Sequence, residues 1–319
     1  KPYDKVWFNK INKKYGFDIV YFENKLNEST ALMARGFEVA VAFVNDQITG
    51  DTINALYSGG TRLLAMRCTG YSNVDLKAAK GKISVVRVPN YSPYSVAEYA
   101  IALLLCINRK IHKAYNRTRD MNFSIDGLIG FDLYGKTLGV IGTGKIGKVF
   151  INICKSFGLN VIAYDPYPSD EENINYVSKE EVFIKSDIIS LHCPLTRDTH
   201  HIINKDSIEM MKDGVYIINT SRGGLINSED LLNYLLCEKI GGAALDVYEE
   251  ESDIFFEDFS DSIMQDNILT HLLSLPNVLI TSHQAFFTAE AMEDIASVTL
   301  KNISEYFNHE KLSNEICYK

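Results

Sequence analysis

The sequence predicts an α/β protein in two parts, a doubly wound parallel sheet and a smaller α/β unit. Three observations predict it. The chain has 319 residues, more than the roughly 100–200 of one typical domain. Short β-rich runs alternate with helix-like segments along most of its length, the signature of βα repeats. A glycine-rich loop, Gly142-Thr143-Gly144-Lys145-Ile146-Gly147, sits between an apolar strand-like run and a helix-like run.

Taken in order, the first ninety residues contain strand candidates at Asp18–Phe22, Val39–Val44, Leu63–Arg67 and Val85–Val88, with helix candidates at Asp51–Ser58 and Asn73–Ala79. This pattern reads as a small parallel unit. Pro89 and Pro93 then interrupt the chain. Ser95-Val96-Ala97-Glu98 has the spacing of a capping box, in which serine and glutamate satisfy each other's free backbone N–H groups. A long buried helix is therefore expected from about Val96, with a domain boundary just before it. Further strands are expected at Thr137–Ile141, Asn160–Tyr164, Asp187–Leu191, Gly214–Asn219, Gly242–Val247 and Asn277–Thr281. Ala289–Phe307 closes the series as an amphipathic helix, with Met292, Ile295, Ala296, Ile303 and Tyr306 near one face.

Composition narrows the function. A net charge of −9 argues against nucleic acid or an anionic membrane as the main partner, because both select clustered Lys and Arg. The longest apolar run, Tyr99 to Ile107, falls far short of the roughly 20 residues that span a bilayer. Six cysteines occur without any C-x-x-C pair, so neither a zinc cage nor a disulfide framework is expected and no metal is called for. Scattered reduced thiols fit the cytoplasm.

The glycine loop reads as a dinucleotide site of Rossmann type. Gly142 permits a tight turn, Gly144 lets the backbone approach a pyrophosphate, and Gly147 allows close packing of helix on strand. The free N–H groups and positive end of the following helix attract the anion. The second strand of this unit ends in Asp165, eighteen residues beyond Gly147, close to the roughly 20 expected for the acid that binds ribose hydroxyls. Its charge repels a 2′-phosphate and no arginine follows it, which favours NAD over NADP.

Three further strand ends carry reactive side chains, where ligands of open α/β sheets gather. They are Asn219–Gly224 with Arg222, Asp246–Glu251 with Glu251, and Thr281–His283. Singly, each reads as well as a surface charge or a satisfied loop residue. Together, behind a dinucleotide loop, they match what reduction of a 2-oxo acid needs. A guanidinium clamps the carboxylate and polarises the carbonyl. An imidazolium protonates the nascent alkoxide as hydride arrives. A carboxylate orients that imidazole and favours its charged form. The expected roles are substrate clamp for Arg222, proton donor for His283, and partner of His283 for Glu251.

At these residues the chain resembles the D-isomer-specific 2-hydroxyacid dehydrogenases. The matching blocks are Val96-Ala97-Glu98, Gly142–Gly147, Leu191-His192-Cys193-Pro194-Leu195, Asn219–Gly224, Ala244–Glu251 and His283-Gln284-Ala285-Phe286. Phe255-Phe256-Glu257-Asp258 and Gln265-Asp266 are similar to the fermentative subgroup that acts on pyruvate. The resemblance implies the catalytic set Arg222, Glu251 and His283. It implies cofactor contacts at Lys145, Ile146, Asp165, Cys193, Pro194, Thr199, Thr220, Ser221 and Asp246, the last near the nicotinamide. Backbone N–H groups at Thr69 and Gly70 would hold the substrate carboxylate, and Tyr91 and Phe286 would line its pocket. It further implies a flavodoxin-like substrate domain of residues 1–92 and 287–319, rejoined by the C-terminal helix, an NAD domain of residues 93–286, and hinge closure between them. A homo-oligomer is implied, with a dimer core through the NAD domain and room for a tetramer.

The 32 positions from Glu251 to His283, and Phe286 with Phe287 after it, separate the chain from phosphoglycerate and glycerate relatives and favour a small apolar substrate side chain. A bulkier 2-oxo acid is the same-class alternative. A non-enzymatic NAD sensor like the co-repressors of this fold is the alternative from another class. One departure stands out. The family opens with a β-strand before the segment matching Lys1-Pro2-Tyr3-Asp4-Lys5. No counterpart is present here, which implies an unpaired sheet edge.

Overall fold

A computed structural model describes residues 2–169, 173–251 and 254–318. The chain divides into two units, Lys1–Ser92 with Phe287–Lys319, and Pro93–Phe286.

In the first unit, α1 (Pro2–Asn12) precedes two strand–helix repeats and a third strand: β1 (Val39–Ala42), α2 (Gly50–Gly59), β2 (Leu63–Met66), α3 (Leu76–Ala79) and β3 (Ser84–Val86). The strands pair in parallel in the order β1-β2-β3. Every residue of β2 is buried, as expected for the central strand of a sheet covered on both faces. Thr49 caps α2 by accepting from the Thr52 N–H, and Asp75 caps α3 through the Ala78 N–H. The last helix, α11 (Ala289–Phe307), packs on α1 and β2. It buries Ala296, Leu300 and Ile303 with Phe8, Leu63 and Val86.

Two expectations change here. Asp18–Phe22 runs without forming a strand. Its apolar residues are drawn to the sheet, but no neighbouring strand offers a ladder, and the outer edge of β1 has no strand partner among the described residues. The expected helix over Asn73–Ala79 shrinks to one turn, because Asp75 serves as its cap rather than lying within it.

The second unit opens with α4 (Pro93–Arg109) and α5 (Ile111–Arg119). The capping box foreseen at Ser95 does not form. Pro93 already starts the helix, its fixed φ and missing N–H suiting the first turn, so Ser95 lies buried inside it. Then follow β4 (Thr137–Ile141), α6 (Lys145–Ser156), β5 (Asn160–Tyr164), β6 (Asn175–Tyr176), α7 (Lys179–Lys185), β7 (Ile188–Leu191), α8 (Lys205–Met210), β8 (Val215–Asn219), α9 (Ser228–Leu236), β9 (Ile240–Leu245), α10 (Asn267–Ser274) and β10 (Val278–Ile280). The parallel sheet has the order β10-β9-β8-β7-β4-β5-β6.

Its strands are apolar on both faces. Ile188 joins the core formed with α4 and α6, whereas Ile189 joins the core formed with α7 to α10. Successive residues thus serve opposite layers, which is why these strands read as continuous apolar runs. Truncating a fully buried side chain such as Leu104 or Phe150 would cost about 2–5 kcal/mol in transfer and cavity terms. The strand order reverses between β7 and β4, the topological switch point where such sheets bind ligands.

Candidate active site

The glycine loop occupies that switch point. Gly142 follows β4 with φ +98°, and a Cβ there would lie 2.6 Å from the His192 carbonyl and the Cys193 nitrogen. A Cβ on Gly147 would lie 2.1 Å from the Gly142 carbonyl oxygen. Both positions therefore admit glycine alone. Over Gly144 the space is open. Gly144 is also the N-cap of α6 and has no side chain to cap it, so the positive end of a twelve-residue helix faces this space and suits an anion. Lys145 and Ile146 form its first turn.

Asp165 follows β5 and is already engaged. Its Oδ2 accepts from the Thr143 N–H at 2.7 Å and the Thr143 hydroxyl at 3.0 Å, and its Oδ1 accepts from the Tyr167 N–H at 2.9 Å. The carboxylate thereby braces the glycine loop. Thr143 and Tyr176 in this arrangement were not anticipated from sequence, because a two-residue edge strand leaves almost no periodic signal.

After β7 come His192, Cys193 and Pro194. His192 is half-buried with its ring turned inward, bonded through Nε2 to the Ser190 hydroxyl at 2.9 Å and packed on Phe150 at 4.6 Å. Burial lowers its pKa to about 3, so the ring is neutral. Burial, with the charge of Asp165 adding to it, pushes the Cys193 thiol up to about 11. That thiol is a packing group rather than a nucleophile. The Thr199 hydroxyl donates to the Pro194 carbonyl at 2.6 Å and accepts from the Thr196 N–H at 2.7 Å. It shapes this loop and has little capacity left for a cofactor.

The residues after β8 divide the work. Buried Asn219 accepts from the Ser221 N–H and donates to the Arg222 carbonyl at 2.8 Å. The Ser221 hydroxyl donates to the Leu191 carbonyl. Thr220 is buried and its hydroxyl has no hydrogen-bond partner among the described residues. Arg222 donates to the Ser221 carbonyl at 2.6 Å, and among the described residues no carboxylate pairs with it. An orphaned buried hydroxyl costs about 1–3 kcal/mol, so Thr220 points to a ligand that completes it. Together with the open helix end and the two glycine-only positions, it fits a dinucleotide lying along this sheet edge.

β9 and β10 build the acid–base pair. Asp246 is wholly buried. Its Oδ1 accepts from the Thr281 hydroxyl at 2.6 Å and the Gln284 N–H at 3.0 Å, and its Oδ2 accepts from the Ala285 N–H at 2.7 Å. Its backbone carbonyl accepts from the His283 N–H at 2.7 Å. Burial raises its pKa, while those donors and the nearby His283 pull it back. Asp246 thus holds the turn that carries His283, itself left-handed at φ +53°. His283 Nδ1 meets Glu251 Oε1 at 2.8 Å, and Glu251 Oε2 accepts from the Tyr248 N–H at 2.9 Å. With Nδ1 bonded, Nε2 is the nitrogen left for substrate. The Phe256 ring lies 5.8 Å from the imidazole.

Because β8, β9 and β10 are adjacent, the sheet brings Arg222, Asp246, Glu251 and His283 to neighbouring strand ends. A second group of polar side chains, His200, His201 and Glu249, places its ligand-type atoms within 4.8 Å of one another. There His201 is hydrogen-bonded to Glu249, and Glu249 also accepts from the Ser228 N–H.

In the first unit, the carbonyl of Thr69 accepts from Arg87 at 2.9 Å and that of Gly70 accepts from the Cys68 thiol at 3.3 Å. The N–H groups of Thr69 and Gly70 donate to no acceptor among the described residues. Tyr91 is half-buried and Phe286, at the end of the second unit, is buried.

Comparison with known proteins gives a consistent picture. Residues 101–285 match the family model for the D-isomer specific 2-hydroxyacid dehydrogenase, NAD binding domain. The D-lactate dehydrogenase of Escherichia coli K12 is 48% identical over 99% of this chain and 97% of its own. The apo-structure of D-lactate dehydrogenase from Escherichia coli superposes with a TM-score of 0.90, at 45% identity over 99% of this chain and 97% of that one. A structure described as the pyruvate reductase of Chlamydomonas reinhardtii gives 0.94, at 42% identity over 98% and 96%.

Proposed function

The chain belongs to the D-isomer-specific 2-hydroxyacid dehydrogenase family, and from that premise we propose that it is an NAD-dependent D-lactate dehydrogenase reducing pyruvate. The observation that carries this reading is the 2.8 Å contact between Glu251 and His283 Nδ1 at a strand end, with Arg222, which pairs with no carboxylate among the described residues, at a neighbouring strand end. NADH, when bound, supplies the hydride. Arg222 holds the substrate carboxylate and polarises the keto oxygen through its planar fork. His283 gives the proton on Nε2 to that oxygen as charge builds there. Glu251 fixes the ring so that Nε2 is the donor, and its charge complements the imidazolium. The free N–H groups of Thr69 and Gly70 are proposed as further donors to the carboxylate. Thr220, Lys145, Ile146 and Asp165 are proposed as cofactor contacts, and Tyr91 and Phe286 as neighbours of the substrate side chain.

The test is steady-state oxidation of NADH across a panel of 2-oxo acids, with chiral analysis of the product. Pyruvate with the highest kcat/KM and D-lactate as product is the expected result. A preference for 2-oxoisocaproate or phenylpyruvate would move the reading to a bulkier substrate, and NADH binding without turnover would make the chain a sensor. His283→Ala should abolish turnover while NADH still binds; near-parental turnover would remove His283 from the mechanism.

We further propose a homodimer through the NAD domain. Met121, Phe123, Ile125, Ile129 and Tyr134 are each more than 70% exposed, an apolar concentration along one segment that suits a second copy. Replacing Ile125 and Ile129 by Asp should yield monomers by light scattering. No helix among the described residues is long and apolar enough to cross a membrane. We place the enzyme in the cytoplasm, where its free thiols meet a reducing milieu.

A further inference from the structure

We propose that Tyr176 sets the dinucleotide preference from a distance, by fixing the Asp165 carboxylate through Thr143. The inference rests on the reading of the glycine loop as the dinucleotide site. The Tyr176 hydroxyl lies 3.0 Å from the Thr143 hydroxyl, 3.1 Å from the Ser169 hydroxyl and 3.2 Å from the Ser169 nitrogen.

Carboxylates only accept, and this decides every proton in the chain. The Thr143 hydroxyl must give its proton to Asp165 Oδ2. Its oxygen then accepts from Tyr176, whose single proton is thereby spent. Both Ser169 groups consequently donate to the Tyr176 oxygen, filling its two lone pairs. One unbroken sequence of donors therefore runs from the edge strand β6 to Asp165.

The consequence lies at the carboxylate. Of its about four acceptor positions, Oδ2 uses two on Thr143 and Oδ1 uses one on Tyr167. One position on Oδ1 remains. A ribose hydroxyl can donate to it. A 2′-phosphate has only acceptor oxygens under neutral conditions and meets a negative charge that cannot swing aside. Tyr176 keeps Thr143 in the rotamer that pins Oδ2, so it governs whether Asp165 can turn away. It is a positioning residue, touching no part of the cofactor.

Tyr176→Phe removes one hydroxyl and keeps the ring. Direct titration of NADH and NADPH by fluorescence reads binding without turnover. Losing one net hydrogen bond's worth of restraint should weaken NADH about fivefold, while NADPH binds as before or tighter. In turnover, KM for NADH should rise while kcat at saturating NADH is retained. Because the effect passes through Thr143, Tyr176→Phe should add nothing in a Thr143→Val background, the outcome of a double-mutant cycle for residues acting in series. Unchanged NADH affinity, equal weakening of both dinucleotides, or additive effects with Thr143→Val would overturn the proposal. Asp165→Asn separates it from its premise. If that variant discriminates normally, the site reading fails and takes the proposal with it. If only Asp165→Asn alters preference, the link through Tyr176 alone is wrong.

Discussion

The family resemblance implies that Asp246 lies near the nicotinamide, and both its oxygens are engaged by the turn that carries His283. Asp246→Asn tests that reading. The amide keeps the shape of the carboxylate but has one oxygen. Its better orientation leaves the oxygen toward Thr281 and Gln284 and turns NH2 toward the Ala285 N–H, so two donors face each other. A hydrogen bond to a charged acceptor is worth about 1.5–3 kcal/mol, and the stranded N–H costs about 1–3 kcal/mol more. Relief from burying a charge offsets part of this. A net of about 2 kcal/mol shifts the equilibrium between held and released turn about thirtyfold, which sets the upper bound on the loss of the held turn. Expected is a fall in kcat of up to that order with pyruvate, while the NADH dissociation constant from fluorescence titration stays within about threefold. The refuting result is specific. If kcat is retained and NADH binding weakens instead, Asp246 is a direct cofactor contact and the positioning argument is wrong.

Three further outcomes follow from the same geometry. His192 is neutral when folded and has a pKa of about 3, below its unfolded value, so the unfolded chain binds the extra proton between the two. Stability should fall as pH drops below about 6.5, by up to about 1.4 kcal/mol per unit or about 2 kcal/mol at pH 5 from this residue; urea denaturation of His192→Gln at pH 7.5 and 5 should show a correspondingly smaller difference. Thr220→Val removes a buried orphan hydroxyl, so thermal unfolding without cofactor should be unchanged or raised, while NADH affinity falls; a fall in both would show that the hydroxyl is partnered within the protein. Gly147→Ala drives a methyl against the Gly142 carbonyl, an overpacking worth about 1–3 kcal/mol, and should cost at least about tenfold in NADH affinity with pyruvate chemistry otherwise intact in saturating cofactor.

The sheet of the second unit was legible because its strands face two cores and so read as apolar runs. Thr137–Ile141 and Asn160–Tyr164 appear with the expected bounds, as does the terminal helix Ala289–Phe307. What sequence obscured were choices made by partners distant in the chain. Asp18–Phe22 has strand composition, but ladder formation depends on a neighbour. Ser95 and Glu98 have capping spacing, but Pro93 starts the helix two residues earlier. The acid–base pair was visible as residue types at strand ends. The engagement of Asp246 with 281–285, the orphan hydroxyl of Thr220 and the Thr143–Tyr176 link were not, since each depends on which lone pair faces which donor.

Suspending His283 from Asp246 separates the proton donor from the connection between β9 and β10. His283 takes its position from the neighbouring strand's end, and the connection contributes Glu251 and Phe256. The stretch between Phe256 and Asp266 is the part that can be recomposed with least effect on the donor: Tyr248, which holds Glu251, is tied through its hydroxyl to Asp266, and among the described residues no hydrogen bond to His283 comes from between them. Such a division gives a lineage freedom to explore new substrates by insertion in that connection while the reducing chemistry is inherited unchanged.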